Sequence, residues 1–461
     1  MTDAPPPWAS RLEDPDEVRA FLFPGTGAAG APDLRALAAT GPAAARVVGD
    51  VLDAVAEALP PPGVPSPPSA PEPGSPAHKE GRTTNGDRTG DNPTDTDHRT
   101  NKDTPTGEET RTGEHARTAP DTPAGQDGPG GGWPSMRRIL LDEPDTYRTA
   151  ARTPGVPQLA AYTASVAVDR VLRASGVVPA FAVGQSFGEI AALVCAGAFS
   201  ISDGARMAFT LVDVLTRRGA GGGMGLLEAT EDDTRALIAE AARRAREARE
   251  AQEPGPAADA HRVLPGGRVG TRSAAWGEVV VACLNAPSAT VVSGPDAELD
   301  AVLDTARDRG VKAVRLAVPY LSHHPAMAGA DHEWYETIRQ FPQRPLETAV
   351  HSPVRGRAYR DDDDLHRALA DCIVLPVRLP DTLVEVAKAG ATVFVEAGAG
   401  DALCRCARLT VPDVATVAPL RERPRPGGKP PVGKSAPEVR SESAPVPTRP
   451  PARSSGEARD A

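Results

Sequence analysis

Short apolar runs alternate with helical patterns along most of this chain. Apolar residues recur at helical spacing over 33–59 and 158–174. The run at 21–27, FLFPGTG, predicts a strand that ends in a glycine turn, and 181–193 predicts a strand, a sharp turn and a helix. The other predicted strands are 279–286, 290–294, 311–318 and 392–398, and the other predicted helices are 296–309, 326–340, 364–372 and 381–389. This alternation predicts an α/β fold with a largely parallel sheet.

One segment has its own order of elements. Between 224 and 318 the pattern predicts β, α, β, β, α, β in succession. That is the order of a ferredoxin-like split βαβ unit. We therefore expect a small ferredoxin-like subdomain at 223–318, inserted into a large subdomain. The large subdomain would comprise three segments, 18–60, 134–222 and 319–420.

Two segments lack the apolar residues that a core needs. Val64 is the only large apolar residue from Pro61 to Gly130, and the end of the chain from Arg421 has no Leu, Ile, Phe or Met. The chain has 49 prolines, 44 glycines and only 4% aromatic residues. Such segments cannot bury enough surface to offset the entropy of ordering. We expect a disordered insertion at 61–133 and a disordered C-terminal tail at 421–461.

Charge and cysteine content narrow the function classes. The formal net charge of −11 argues against nucleic-acid binding. The five cysteines show neither metal-ligand spacing nor a disulfide framework, so no metal site is expected. The start, MTDAPPPWAS, does not resemble a signal peptide, and no apolar stretch approaches the roughly 18 residues of a membrane span. We expect a cytoplasmic protein without a membrane anchor.

The pentapeptide at 184–188, Gly-Gln-Ser-Phe-Gly, lies between a predicted strand and a predicted helix. A tight strand-to-helix turn exposes its serine, and the flanking glycines leave room for it. Ser186 is therefore a candidate nucleophile, and the backbone N–H of Phe187 could stabilise an acyl oxyanion. The alternative interpretation is a serine that caps a helix after a glycine turn.

A serine nucleophile needs a base. His323 and His324 follow the predicted strand at 311–318 and precede a predicted helix. A base at a strand end can reach a nucleophile on a neighbouring strand. From the residues alone, either histidine could be this base, or both could be solvent-exposed turn residues.

Seven motifs, in order, resemble those of the acyl-CoA:acyl-carrier-protein acyltransferases, which include the malonyl transferases and the acyltransferase domains of polyketide synthases. The matching segments are Phe23-Pro24-Gly25-Thr26-Gly27, Gln158, Gln185-Ser186-Phe187-Gly188-Glu189, Asn285-Ala286-Pro287 with Val291-Val292-Ser293-Gly294, Ser322-His323-His324-Pro325-Ala326-Met327, Leu375-Pro376-Val377-Arg378 and Phe394-Val395-Glu396-Ala397-Gly398. The resemblance covers roughly 20–60 and 134–420.

The resemblance implies an α/β-hydrolase-like large subdomain with the ferredoxin-like insertion. It also implies ping-pong acyl transfer, in which Ser186 is acylated by an acyl-CoA or acyl-carrier thioester and the phosphopantetheine thiol of an acyl carrier protein then takes the acyl group. Within the resemblance, the match of Pro325 and Met327 to the motif selects His323 as the base. A backbone carbonyl near Asp401 would orient this histidine, and the backbone N–H of Thr26 would be the second oxyanion donor. The enzyme would be a monomer without a tightly bound cofactor or a nucleic-acid partner.

Members of the family that use malonyl groups carry an Arg twenty-five residues after the nucleophile, where this sequence has Leu211. A buried carboxylate facing Leu would be unpaired, which costs several kcal/mol as an order of magnitude. We therefore expect an acyl group without a free carboxylate, such as a starter, aminoacyl or peptidyl group. The other residues expected to contact substrate are Gln158, Asn285, Tyr320 and Ser322.

Two other hypotheses stay open. The chain could be an editing acyl-carrier hydrolase, in which water replaces the carrier thiol. It could be a malonyl transferase that binds the carboxylate through a residue other than the one at 211. A true α/β-hydrolase would need an Asp between the nucleophile and the base in sequence. It is disfavoured, because the candidates in that interval lie on a predicted helix of the small subdomain: Asp296, Asp300, Asp304 and Asp308. A non-enzymatic scaffold is disfavoured by the intact Ser186 and His323.

Overall fold

The computed structural model describes Pro6 and residues 8–26, 31–59, 133–252 and 278–421. The predicted disordered insertion, apart from Trp133, and the predicted tail, apart from Arg421, lie outside these residues. The described residues confirm the predicted α/β fold. They form two sheets, and helices pack against both.

The eleven strands of the described residues are β1 (Arg19–Phe23), β2 (Phe181–Gly184), β3 (Gly222–Leu227), β4 (Val280–Ala286), β5 (Ala289–Pro295), β6 (Ala313–Arg315), β7 (Ala349–Ser352), β8 (Arg357–Ala358), β9 (Val377–Arg378), β10 (Val393–Glu396) and β11 (Ala415–Val417). The helices there are α1 (Arg35–Ala38), α2 (Pro42–Ala58), α3 (Tyr147–Ala150), α4 (Val156–Ala174), α5 (Gly188–Cys195), α6 (Ile201–Arg218), α7 (Glu231–Gln252), α8 (Asp296–Asp308), α9 (Ala330–Ile338), α10 (Leu365–Asp371), α11 (Leu379–Lys388) and α12 (Ala402–Thr410).

The larger sheet has the strand order β11-β10-β1-β2-β7-β8. Its pairings are parallel except for the antiparallel pair β7–β8. In the central strand β1, Phe21 and Phe23 pack into the core shared with α2, α4, α5 and α6. Ala20 and Leu22 point to the other face, where α11 and α12 cover the sheet. Because both faces are buried, the strand is a continuous apolar run without polar alternation.

The smaller sheet has the order β6-β3-β5-β4-β9. Its first four strands are antiparallel and, with α7 and α8, have the ferredoxin-like topology that the sequence predicts. α7 and α8 bury one face of this sheet. The short strand β9 pairs in parallel with β4. It comes from outside the predicted 223–318 segment and ties the two parts of the chain together.

Several predicted boundaries change. The predicted strand 311–318 contains only the three residues of β6, and the predicted helix 33–59 is divided into α1 and α2. Pro42 begins α2, where its missing N–H costs no helical hydrogen bond. Several short elements were not predicted: the strands β7, β8, β9 and β11 and the helices α3 and α12. Over so few residues the periodicity is weak.

No helix in the described residues combines the length and the apolar content that crossing a bilayer requires.

Gly188, at the start of α5, lies close against the larger sheet. A Cβ at this position would overlap the carbonyl oxygen of Phe23 in β1. This contact holds the start of α5 against the central strand. A residue with a side chain could not fit at this position unless the helix or the strand moved.

We expect Gly188→Ala to lower the free energy of unfolding by about 2 to 4 kcal/mol, measured by urea denaturation. Gly49→Ala in α2 is the matched control, since the nearest atom to its new Cβ would be 3.7 Å away. Alanine also favours the helix by about 1 kcal/mol, so this control should not lose stability. Equal urea midpoints for Gly188→Ala and the unchanged protein would refute the steric argument.

Candidate active site

The nucleophile turn has the strained backbone that exposes a serine. Ser186 lies between the end of β2 and the start of α5 with φ 56°, a left-handed conformation that few residues other than glycine adopt. A Cβ on Gly184 would overlap the backbone of Glu189, so the turn needs glycine there. The turn places Ser186 at the C-terminal edge of the larger sheet, next to the N-terminus of α5.

His323 is hydrogen-bonded to Ser186. Its Nε2 lies 2.7 Å from the Ser186 Oγ, and it too has a left-handed backbone with φ 54°. Its Nδ1 lies 2.9 Å from the carbonyl oxygen of Leu375. Because a carbonyl can only accept, Nδ1 carries the proton and Nε2 is free to accept from the serine hydroxyl. This tautomer is the one that a general base requires.

The orienting carbonyl differs from the one that the resemblance implied. We expected a carbonyl near Asp401, but the structure uses Leu375, which directly precedes the Pro376-Val377-Arg378 segment. The loop after α10 runs beside the histidine turn, since the neighbouring His324 N–H also donates to the Ile373 carbonyl over 3.3 Å. The expectation about Asp401 was wrong because sequence order does not show which loop lies next to the base.

His324 has a structural role. Its Nδ1 accepts from the Ala326 N–H over 3.0 Å, and its Nε2 lies 3.0 Å from the Glu278 carbonyl oxygen. Both ring nitrogens are therefore engaged away from Ser186.

Burial keeps His323 uncharged. The side chain is almost completely buried, and this lowers its pKa to about 4, although the hydrogen bond to the Leu375 carbonyl acts in the opposite direction. At neutral pH the imidazole is therefore available to accept a proton.

A cavity of about 50 Å³ opens beside Ser186. Its lining includes both expected oxyanion residues, Thr26 and Phe187, together with Leu211, Tyr320 and Ser322. The remaining lining residues are Ile190, Leu215, Met224, Val318, Trp334, Leu369, Cys372 and Ile373. Among these described residues there is no Arg, Lys, Asp or Glu, so the cavity is apolar with a few hydroxyl groups.

The arginines of α6 are paired elsewhere. Arg206 pairs with Asp203 on the same helix. Arg217 and Arg218 both pair with Glu333 of α9, over 2.6 and 2.8 Å. None of the three arginines lines the cavity at Ser186. None of these three arginines therefore takes the place of Leu211 at the cavity.

Gln158 and Asn285 lie around the cavity in different ways. Gln158 does not line it, but its Nε2 donates to the Tyr320 hydroxyl over 3.0 Å and so supports a lining residue from behind. Asn285 lies in the adjoining cleft, where its Oδ1 accepts from the Gln185 Nε2 over 2.9 Å. The Asn285 amide nitrogen is the part left to meet a ligand.

A wider cleft leads to Ser186 and His323. It has a volume of about 730 Å³ between α12 and the strands β3, β4 and β5 of the smaller sheet, and both Ser186 and His323 line it. Arg405 of α12 also lines the cleft, with a side chain 62% exposed, next to the exposed Leu409. An extended substrate arm could therefore approach Ser186 through this cleft.

Sequence reasoning missed a buried carboxyl group below the nucleophile turn. Glu189 is fully buried and accepts hydrogen bonds from Ser352 Oγ and Tyr359 Oη. Burial raises its pKa to about 7. Its place within the Ser186 motif was a visible signal, but Ser352 and Tyr359 follow it by more than 160 residues.

A family model described as "Acyl transferase domain" matches residues 236–427, a span that contains His323 and begins after Ser186. The Spectinabilin polyketide synthase system protein NorA' of Streptomyces orinoci is 34% identical over 246 residues. That match covers 52% of this chain and 6% of the relative, so the chain spans a small part of that protein's length.

Solved structures share the fold. The acyl-carrier-protein S-malonyltransferase of Burkholderia pseudomallei 1710b has a TM-score of 0.59 at 18% identity, over 87% of this chain and 96% of that one. The acyltransferase domain from the second module of the salinomycin polyketide synthase has a TM-score of 0.55 at 21% identity, over 87% of this chain and 68% of that one.

The low pKa of His323 predicts a pH profile for the reactivity of Ser186. A lowered base pKa means that the neutral form persists as pH falls, so reactivity should be constant from about pH 6 to about pH 8 and fall by half near pH 4. Labelling of Ser186 by a fluorophosphonate, followed by intact mass, measures this profile. Circular dichroism at each pH controls for unfolding. A midpoint near pH 6.5, the value of an ordinary histidine, would contradict the assignment.

Proposed function

We propose that this chain carries an acyl transferase domain and moves an acyl group from a thioester to the phosphopantetheine thiol of an acyl carrier protein in polyketide biosynthesis. The observation that carries the proposal is the Ser186–His323 pair, which opens onto an uncharged cavity. The fold and the polyketide synthase relatives support this class of reaction.

The first half-reaction forms an ester. The Ser186 Oγ attacks the thioester carbonyl carbon while its proton passes to the His323 Nε2. The oxyanion that forms would be stabilised by the backbone N–H groups of Phe187 and Thr26. When the tetrahedral intermediate collapses, the C–S bond breaks and the leaving thiolate takes the proton back from His323.

The second half-reaction reverses these steps with a new thiol. The carrier thiol gives its proton to the His323 Nε2 and attacks the ester, and Ser186 leaves with the returned proton. The wide cleft supports the entry of a phosphopantetheine arm. Arg405 and Glu228 are the charged residues among the described ones that line this cleft, one of each sign.

The acyl group that fits the cavity lacks a free carboxylate. A malonyl carboxylate beside Leu211 would lose its hydration, and none of the described lining residues could pair with it. Apolar acyl chains match the Ile190, Leu215 and Met224 side chains. An aminoacyl or peptidyl group could use the hydroxyl groups of Tyr320 and Ser322.

A panel of thioesters tests both the reaction and the acyl class. Unsubstituted and aminoacyl thioesters should form an ester on Ser186, detected by intact mass, whereas malonyl-CoA should leave the protein unmodified. Acylated carrier and free acid are quantified together, because a dominant free acid would favour the editing hydrolase. Ser186→Ala should abolish the ester. Ready malonylation would refute the acyl class, and an unreactive protein with all donors would refute the transferase.

Leu211→Arg tests the specificity directly. An arginine at this position can form a bidentate ion pair with malonyl, so we expect the rate of malonyl ester formation to rise about tenfold or more. Leu211→Met keeps the apolar character and serves as the control, with no expected gain. If Leu211→Arg folds, as judged by its circular dichroism, and still gains no malonyl ester, residue 211 does not decide the acyl class.

A further inference from the structure

Gln185, the residue before the nucleophile, forms a hydrogen bond with each polar atom of its side-chain amide. We infer that Gln185 is a positioning residue that holds the Gly25–Thr26 loop and the smaller sheet in place around Ser186. The role in acyl transfer rests on the proposed function, but the geometry and the test do not.

The orientation of the Gln185 amide follows from its partners. The Gly25 backbone N–H lies 3.2 Å from Gln185 Oε1, and a backbone N–H can only donate. The amide nitrogen must therefore point the other way, and Nε2 donates to Asn285 Oδ1 over 2.9 Å. Gly25 follows β1 of the larger sheet, whereas Asn285 belongs to β4 of the smaller sheet. One side chain thus bridges the two sheets at the nucleophile.

The backbone of Gln185 holds the same loop. Its N–H donates to the Phe23 carbonyl over 2.9 Å. A Cβ on Gly25 would lie 2.8 Å from the Gln185 carbonyl oxygen, so the loop packs directly on the nucleophile turn. Thr26, the expected second oxyanion donor, is the next residue along this loop. Because a displacement of about 1 Å at a reacting group can cost about 100-fold in rate, this attachment matters for chemistry.

The bridge needs one acceptor and one donor at about the spacing of an amide. A neutral histidine also provides one ring nitrogen that accepts and one that donates. Methionine has a similar length but neither a comparable acceptor nor a donor. Gln185→His and Gln185→Met therefore separate the hydrogen-bonding role from the space that the side chain fills.

The experiment measures the saturating rate at which a fluorophosphonate labels Ser186, a reaction that forms an O–P bond, releases fluoride and needs no acyl substrate. We expect Gln185→Met to lower this rate about 10- to 100-fold, with little change in the probe concentration at half saturation. Gln185→His should stay within about threefold of the unchanged protein.

Gln343 offers a matched control far from the cleft. Its Nε2 donates to the Asp363 carbonyl over 2.8 Å, and its Oε1 accepts from the Leu365 N–H over 3.0 Å. Gln343→Met thus removes the same two kinds of bond and should leave labelling unchanged. Melting temperatures of both variants are compared, because a purely structural role for Gln185 would lower the labelling rate only in proportion to the unfolded fraction.

Asn285→Leu completes a double-mutant cycle. If Gln185 acts as one bridge, combining Asn285→Leu with Gln185→Met should slow labelling no further than Gln185→Met alone. Any one of three results would overturn the inference. Gln185→Met could be labelled as fast as the unchanged protein, Gln185→His could be labelled as slowly as Gln185→Met, or the losses in the double variant could be additive. If the unchanged protein is labelled but accepts no acyl thioester, the proposed function fails while the role of Gln185 stands or falls on the labelling rates.

Discussion

The hydrogen bond between Ser186 Oγ and His323 Nε2 joins two turns that lie 137 residues apart in the chain. Both residues hold a left-handed backbone, so neither turn would be favoured in isolation. The surrounding fold supports them: Gly188 packs onto β1, and Leu375 fixes the imidazole through its carbonyl. Much of the architecture around the cleft can be understood as the framework that keeps these two strained turns within one hydrogen bond.

Electrostatics around the pair follow from burial. His323 is removed from water, which lowers its pKa, and Glu189 beneath the nucleophile turn is removed from water as well, which raises the pKa of its carboxyl. Both shifts favour the neutral form of the group. The neutral imidazole is coherent with the acyl cavity, because none of the described residues that line this cavity carries a charge that could pair with a substrate carboxylate.

The two sheets contribute different parts of the site. The larger sheet supplies Ser186 and the Gly25–Thr26 loop, whereas the smaller sheet supplies Met224, Val291 and Asn285 as one wall of the cleft. Gln185 connects these parts by hydrogen bonds at both ends of its amide. The space available to an acyl chain therefore depends on how the sheets are held together as well as on the residues that line the cavity.

Local periodicity in the sequence alone determined the α/β class and the ferredoxin-like order of the inserted elements. Motif spacing located the nucleophile turn and showed that Leu211 stands twenty-five residues after Ser186. The sequence could not identify Leu375 as the orienting carbonyl or pair Glu189 with Ser352 and Tyr359, because these contacts join loops that are distant in the chain. It also missed β9, whose two residues have too little pattern to predict and pair only because β4 lies beside them. Only the tertiary structure decided these features, since a backbone carbonyl or a buried hydroxyl has no signature in the sequence until packing brings its partner near.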